Sequence, residues 1–207
     1  NRTYLHAFST MENLEYLGTK SGNLCFPNTM TIMGEGMLYG DTKISGSLSL
    51  PASLTAIGAA CFSNTQISGE VVIPGNVNIS VNTDLDKDGK YGTSGFTFSG
   101  TKITSLTLED GVKNKEIGNS FASGCADLAT VSIPKSIHKI GDNAFTGTKL
   151  QSLPDLSNVT SLGASAFREI TTDGIPGDIT INCETVGDSA HRGIKINGNV
   201  TINSDTI

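Results

Sequence analysis

Short runs of alternating apolar and polar residues recur along this chain, and each run predicts a short β-strand. The clearest copy lies within residues 128–150. There Val131 and Ile133 alternate with Ser132, which places the two apolar side chains on one face of an extended segment. Pro134 follows and ends the predicted strand, because proline cannot donate a hydrogen bond to a further step of the ladder.

Each predicted strand is followed by an Ile-Gly or Leu-Gly turn and then by an aromatic residue. In the clearest copy these are Ile140-Gly141 and Phe145. The place of Phe145 recurs at intervals of 24, 36, 23, 24, 22 and 24 residues, at Leu38, Phe62, Phe98, Phe121, Phe145, Phe167 and His191. A period near 23 in a chain rich in Leu, Ile and Val is typical of a leucine-rich-repeat solenoid, in which stacked units build one continuous core.

The recurring pattern, with its Ile-Pro, Ile-Gly and Ala-Phe pairs, resembles the BspA-like family of leucine-rich repeats over roughly residues 24–191, most closely over 132–145. The resemblance implies a repeat solenoid of α/β type, wound as a right-handed superhelix. One face is a parallel sheet of short strands, and the other is made of turns or short helical segments. Relatives of this kind are exported to a microbial cell surface, often as lipoproteins, and are associated with adhesion to extracellular-matrix and plasma proteins.

The repeat pattern divides the chain into three parts. Residues 1–23 fit it poorly and predict an N-terminal cap or a degenerate repeat, because the end of a solenoid must cover its core. Residues 24–191 carry the repeats, interrupted by an inserted loop at 80–95 that accounts for the 36-residue interval. Residues 192–207 predict C-terminal strands that act as a cap. Insertions in solenoids leave as loops and often carry recognition.

The outward positions of the predicted sheet form a ladder of small, mostly hydroxylated side chains. If alternate residues point inward, the outward ones are Ser49, Val72, Thr107, Ser132 and Thr180. One interpretation is Ser and Thr pairing that merely suits a parallel sheet. The other is a flat, polar binding surface for an extended protein or a glycan. The face lacks the Trp, Tyr and Arg residues that dominate tight interfaces.

A second candidate site lies in the inserted loop. Asp84, Asp86 and Asp88 alternate ahead of Gly89 and match the first half of a calcium loop, in which such carboxylates converge on the cation. The twelfth position is Gly95, where an EF-hand needs a bidentate Glu. The segment is therefore either a weak, partly hydrated calcium site or a solvated acidic hairpin that turns at Asp88-Gly89. We predict no cofactor other than this calcium ion.

Composition narrows the remaining function classes. A net charge of −6 disfavours nucleic acid and anionic membranes as partners. No apolar run is long enough to span a membrane. The four cysteines form no CxxC pair, which leaves buried free thiols, a disulfide or a metal ligand as alternatives. Catalytic motifs are missing, and His191 holds an aromatic core position, so we expect it to be a packed residue rather than a general base.

Two functions remain after these exclusions. The first is a non-enzymatic module, secreted or held at the cell surface, with a lipid anchor in an outer membrane as one mode of attachment. It would bind extracellular or host proteins, or glycans, through the sheet face. The second is a structural spacer that holds another domain away from the membrane. The resemblance supports the first, and the plain Ser/Thr face is consistent with the second.

Overall fold

The computed structural model describes residues 23–81, 95–112, 114–170 and 173–204 and is a parallel β-solenoid of about seven turns. Its strands are short because each turn contributes only a few residues to each sheet. In the described ranges they are β1 Asn23–Cys25, β2 Ile32–Met33, β3 Ser45–Ser49, β4 Ala56–Gly58, β5 Gln66–Ile73, β6 Asn78–Val81, β7 Lys102–Leu108, β8 Glu116–Ile117, β9 Thr130–Ser132, β10 Lys139–Ile140, β11 Ser161–Leu162, β12 Ile179–Asn182, β13 Thr185–Val186 and β14 Val200–Asn203.

Every strand pairs in parallel with a strand one turn away, which is the arrangement that defines a solenoid. The main sheet has the order β1-β3-β5-β7-β9. A second face carries the short ladders β2-β4-β6 and β8-β10-β11-β13, and β12 pairs with β14 in a separate two-stranded sheet. The predicted parallel sheet on one face is therefore present, although it does not run the full length of the described chain.

The described ranges contain no helix, so the α/β interpretation of the repeat is wrong. The physical reason lies in the backbone on either side of the aromatic position. In the turn of Phe145, both Asn143 (φ 54°) and Gly147 (φ 69°) are left-handed, and Ser165 and Glu169 repeat this around Phe167. A right-handed helix cannot pass through two left-handed residues four positions apart, and the connections therefore remain turns.

The Ile-Gly and Leu-Gly pairs were predicted to be turns, but their apolar residues lie in the short strands of the second face and pack closely in the core. Ile117, Ile140 and Leu162 stand in register on β8, β10 and β11 and are fully or nearly fully buried. The glycine that follows lets consecutive backbones touch. A Cβ atom on Gly141 would lie 2.8 Å from the Asn119 nitrogen and 2.9 Å from the Gly118 carbonyl carbon, closer than real Cβ atoms come. The glycine is required by this contact, since its φ lies outside the left-handed region.

The aromatic column is confirmed as the centre of the core, with one correction. Phe62, Phe98, Phe121, Phe145 and Phe167 are all fully buried. The Phe145 amide donates to the Ala166 carbonyl, that is, to the residue just before the next aromatic. In the preceding turns, the Phe98 amide donates to the Phe121 carbonyl, and the Ala122 amide donates to the Ala144 carbonyl. Phe121 and Ala144 are thus the acceptors that come just before the aromatic position. The place of Phe145 in that turn therefore belongs to Ala122, and Phe121 sits one residue earlier.

Three of the four cysteines lie in the core as free thiols, as one of the alternatives predicted. Cys61, Cys125 and Cys183 are buried, whereas Cys25 is exposed. The Cys125 thiol donates to the Phe98 carbonyl (2.9 Å) and lies 3.3 Å from the Thr101 hydroxyl. Burial raises the pKa of the Cys125 thiol, which disfavours the thiolate, and the side chain packs in the core as a small group.

Candidate functional site

Three of the predicted site residues lie side by side on the main sheet. β5, β7 and β9 pair so that Val72, Thr107 and Ser132 stand in register, and we name these three residues the outer row. The inward neighbours Val71 and Leu106 are fully buried. This alternation holds the outer row on the opposite face of the sheet, because successive side chains of a strand point to opposite sides.

The outer row is a flat surface of small side chains. Val72 is 38% exposed, Ser132 is exposed and Thr107 is half-buried. A second row runs beside it along the strands, two residues earlier, and contains Glu70, Ser105 and Thr130 in register. Adjacent strands lie about 4.8 Å apart, so each row of three spans about 10 Å. Together they present hydroxyl groups, one carboxylate and one apolar side chain to a partner.

Ser49 lies on the same sheet but outside the outer row. It is the last residue of β3, is exposed, and pairs with Cys25 of β1. β3 pairs with β5 through Ser45 and Gly46, which stand opposite Gln66 and Ile67, and this ladder does not extend to Ser49. Ser49 therefore belongs to the main sheet through its pairing with β1.

Thr180 is not brought together with the other predicted site residues. It lies in β12, where it pairs with Thr201 of β14 in the separate two-stranded sheet. The main sheet ends at β9, and the next turn carries a proline inside the strand position. The Gln151 amide donates to the Ala129 carbonyl, and counting on from that bond places Pro154 opposite Ser132. Since alternate residues of a parallel ladder face opposite sides, Pro154 faces away from β9 and has no N–H to offer the following turn.

A groove opens on the surface where the main sheet is interrupted. Its volume is about 430 Å³, and its walls are residues 152–157 of one turn together with 175–180 and Asn182 of the next, Gly177 excepted. Pro154 lies in one wall and Pro176 in the other. This groove was not predicted from the sequence. The two prolines could have indicated it, but their positions in the repeat can be assigned only when the register between turns is known.

Asp155 and His191, near this end of the chain, have altered pKa values. The Ser157 amide donates to the Asp155 carboxylate (2.9 Å), and this hydrogen bond lowers the pKa of the carboxyl group. His191 stacks on Phe167 with ring centroids 5.8 Å apart, which confirms its place in the core. Its Nε2 is buried and has no hydrogen-bond partner among the described residues, and desolvation lowers the pKa of the imidazole.

The three carboxylates of the predicted calcium loop, Asp84, Asp86 and Asp88, lie outside the described residues, as do most of the inserted loop and residues 1–22 of the predicted N-terminal cap. Within the described ranges, no group of three or more His, Cys, Asp or Glu side chains is placed to hold a metal ion. The calcium site therefore stays a prediction from the sequence.

The stacked parallel strands, the buried apolar columns and the exposed strand face define a solenoid of leucine-rich-repeat class. A family model for the BspA type leucine rich repeat region, in six copies, matches residues 3–83 and 93–206. The chain belongs to this family, as its recurring Ile-Pro, Ile-Gly and Ala-Phe pairs predicted. No curated protein matches it. A search for membrane-spanning helices among the described residues finds none with the required length and apolar character.

The fold is also similar to a crystal structure of a leucine-rich repeat protein from Bacteroides ovatus. The two share 20% sequence identity with a TM-score of 0.51, and the match covers 78% of this chain and 44% of that protein. This chain therefore spans less than half the length of its structural neighbour. At this identity the likeness shows a common solenoid fold and nothing about ligands.

Proposed function

We propose that this chain is a non-catalytic protein-binding module that acts outside the cell, secreted or attached to the cell surface, and mediates adhesion to host or neighbouring-cell proteins. The observation that carries the proposal is the outer row, in which Val72, Thr107 and Ser132 stand in register on a flat strand face. A rigid row of small side chains allows a partner to approach the sheet closely along several strands.

The chemistry of this face points to an extended protein or a glycan with modest affinity. Hydroxyl groups of Thr107, Ser105 and Thr130 both donate and accept hydrogen bonds. The rows contain no Trp, Tyr or Arg, the residue types that concentrate binding energy in tight interfaces. Nucleic acid is disfavoured as a partner by the net charge of −6.

A binding screen of the purified chain tests the proposal. The chain is offered to a panel of extracellular-matrix and plasma proteins and to a glycan array, with and without calcium. We expect a saturable interaction that weakens when Arg replaces Ser132 or Thr107. Silence across the panel would favour the spacer function. Calcium dependence that disappears with the Asp84, Asp86 and Asp88 carboxylates would move the site to the inserted loop.

A further inference from the structure

The interruption of the main sheet leaves one strand with an open edge inside the solenoid. The Ile179 amide donates to the Asn199 carbonyl (2.8 Å), so Ile179 and Ile181 direct their backbone groups toward β14. In a parallel ladder, alternate residues direct their N–H and C=O groups to opposite sides. The backbone groups of Thr180 and Asn182 therefore face the preceding turn.

The preceding turn does not satisfy this edge. Across the ranges that the structure covers, no backbone hydrogen bond joins residues 152–157 to residues 179–182. The reason is again Pro154, which removes the N–H at the centre of that turn's strand position. Instead, the groove of about 430 Å³ lies between the two segments. A residue in a sheet occupies about 160 Å³ for ordinary strand dimensions, so this volume suits two to three residues in extended conformation.

The walls of the groove indicate the charge of its occupant. The Asp155 and Asp178 carboxylates lie in opposite walls, and both are exposed. Asp178 uses one oxygen to accept the Asn199 amide and keeps the other for a ligand, whereas Asp155 accepts hydrogen bonds from both the amide and the hydroxyl group of Ser157. Lys135 lies close enough to Asp155 to act on it electrostatically, which leaves Asp178 as the stronger attraction for a cation.

We propose that this groove binds an extended, basic segment of a partner protein, which adds to the open edge of β12 as a parallel or antiparallel strand and places a Lys or Arg side chain beside Asp178. Main-chain hydrogen bonds to Thr180 and Asn182 supply the affinity, and the carboxylates supply the preference for positive charge. This deepens the proposed function, on which it rests, by naming a partner class and a second place on the surface.

The test uses three five-residue peptides and the amide NMR signals of the whole chain. The first peptide is acetyl-Thr-Lys-Val-Lys-Thr-amide, the second replaces both lysines by glutamates, and the third is the lysine peptide N-methylated at its three central residues. At millimolar concentration we expect the lysine peptide to shift the Thr180 and Asn182 amides in a saturable way. The glutamate peptide should bind about tenfold more weakly, and the methylated one should leave both signals in place.

Two substitutions at one residue provide the matched control. Thr180→Pro removes the N–H that faces the groove without removing a bond to β14, whereas Thr180→Val keeps that N–H. We expect binding of the lysine peptide to be lost in the first and kept in the second, at equal melting temperatures. Absence of saturable shifts in the unsubstituted chain, or equal binding by both variants, would overturn the inference.

These outcomes are separable from failure of the proposed function. A matrix protein whose binding is weakened by Arg at Ser132 and is unaffected by Thr180→Pro would support the outer row and contradict the groove as its partner site. Peptide binding at Thr180 in a chain that binds no protein of the panel would support the groove and contradict the outer row as a binding surface.

Discussion

Phe121 meets Phe98 edge to face, with ring centroids 5.6 Å apart and planes at 86°, whereas Phe145 and Phe167 stack at 5.4 Å with planes at 13°. The difference follows from the exchange of Phe121 and Ala122 in the repeat. Phe121 enters the core from the position that Ala144 holds one turn later, so its ring cannot lie parallel to that of Phe98. The column still fills its space, because edge-to-face contact is as favourable as offset stacking.

Replacing Phe145 by Ala should be among the most damaging single substitutions. The ring is fully buried and stacks on Phe167, and its loss should cost about 3–5 kcal/mol of unfolding free energy. Chemical denaturation followed by circular dichroism measures this cost. Lys149→Ala, an exposed position in the same turn, is the control and should change little. An unchanged unfolding midpoint for Phe145→Ala would contradict the core assignment.

Gly141→Ala should destabilise the solenoid although alanine is small and apolar. The added methyl group would press against the backbone of Asn119 and Gly118 one turn away, and against Asn119 Oδ1, which accepts a hydrogen bond from the Asp142 amide. We expect a loss of about 1–3 kcal/mol, the usual cost of overpacking. Thermal unfolding measures it. Gly40→Ala provides a comparison, because a Cβ there meets no atom of the described ranges within 4 Å and its φ of 74° is the source of strain. Equal stability of Gly141→Ala and the parent would exclude the close contact.

The stability contributed by His191 should depend on pH. Desolvation lowers the pKa of its imidazole in the folded chain, so between this value and the ordinary pKa near 6.5 the unfolded chain binds more protons. The stability that the neutral His191 imidazole contributes is therefore fully present above about pH 6.5 and is lost as the pH falls through its folded-state pKa.

His191→Phe should remove this dependence, because it restores the aromatic residue found in other turns and deletes the unpartnered Nε2. Melting temperatures of both proteins at pH 8 and pH 5 give the test. We expect the melting temperature of His191→Phe to exceed that of the unsubstituted chain by more at pH 5 than at pH 8. The other two histidines are common to both proteins and cancel in the comparison. A difference that is the same at both pH values would contradict the buried, neutral imidazole.

Calcium binding by the inserted loop remains a prediction from the sequence. If Asp84, Asp86 and Asp88 converge on the ion, calorimetric titration should show weak binding that is lost in Asp86→Asn. The Asn variant keeps the size of the side chain and removes one charge. A flat trace for the unsubstituted chain at millimolar calcium would instead support the solvated acidic hairpin.

The features that depend on inward-pointing side chains could be predicted from the sequence. The alternation that sets Val72 and Thr107 outward predicted that their neighbours Val71 and Leu106 are buried, and the structure confirms this. The Ile-Gly pairs were predicted to be turns, and this was wrong, because Ile117 and Ile140 lie in short strands of the second face. The absence of helices was not predictable in the same way. Left-handed backbone at Ser120 and Ser165 is adopted by residues that usually avoid it, and neighbouring turns impose this conformation.

The register between turns was the second limit. Phe121 and Ala122 are adjacent, and either order gives a period near 23, so spacing alone could not identify which one holds the column position. Pro134 ends a strand, but the similar Pro154 lies inside a strand position because its turn is offset by two residues. This offset separates Thr180 from the outer row, and only the hydrogen bonds between turns reveal it.

The central claim is that the outer row is the binding surface, and a pair of matched Arg substitutions tests it most directly. Ser132→Arg places a large cation in the row, and Ala52→Arg places the same side chain at an exposed turn position off the row. The Kd of each variant is measured for the partner found in the binding screen. We predict at least a tenfold weaker Kd for Ser132→Arg, about 1.4 kcal/mol, and no change for Ala52→Arg. Equal affinities for the two variants would place the binding surface elsewhere.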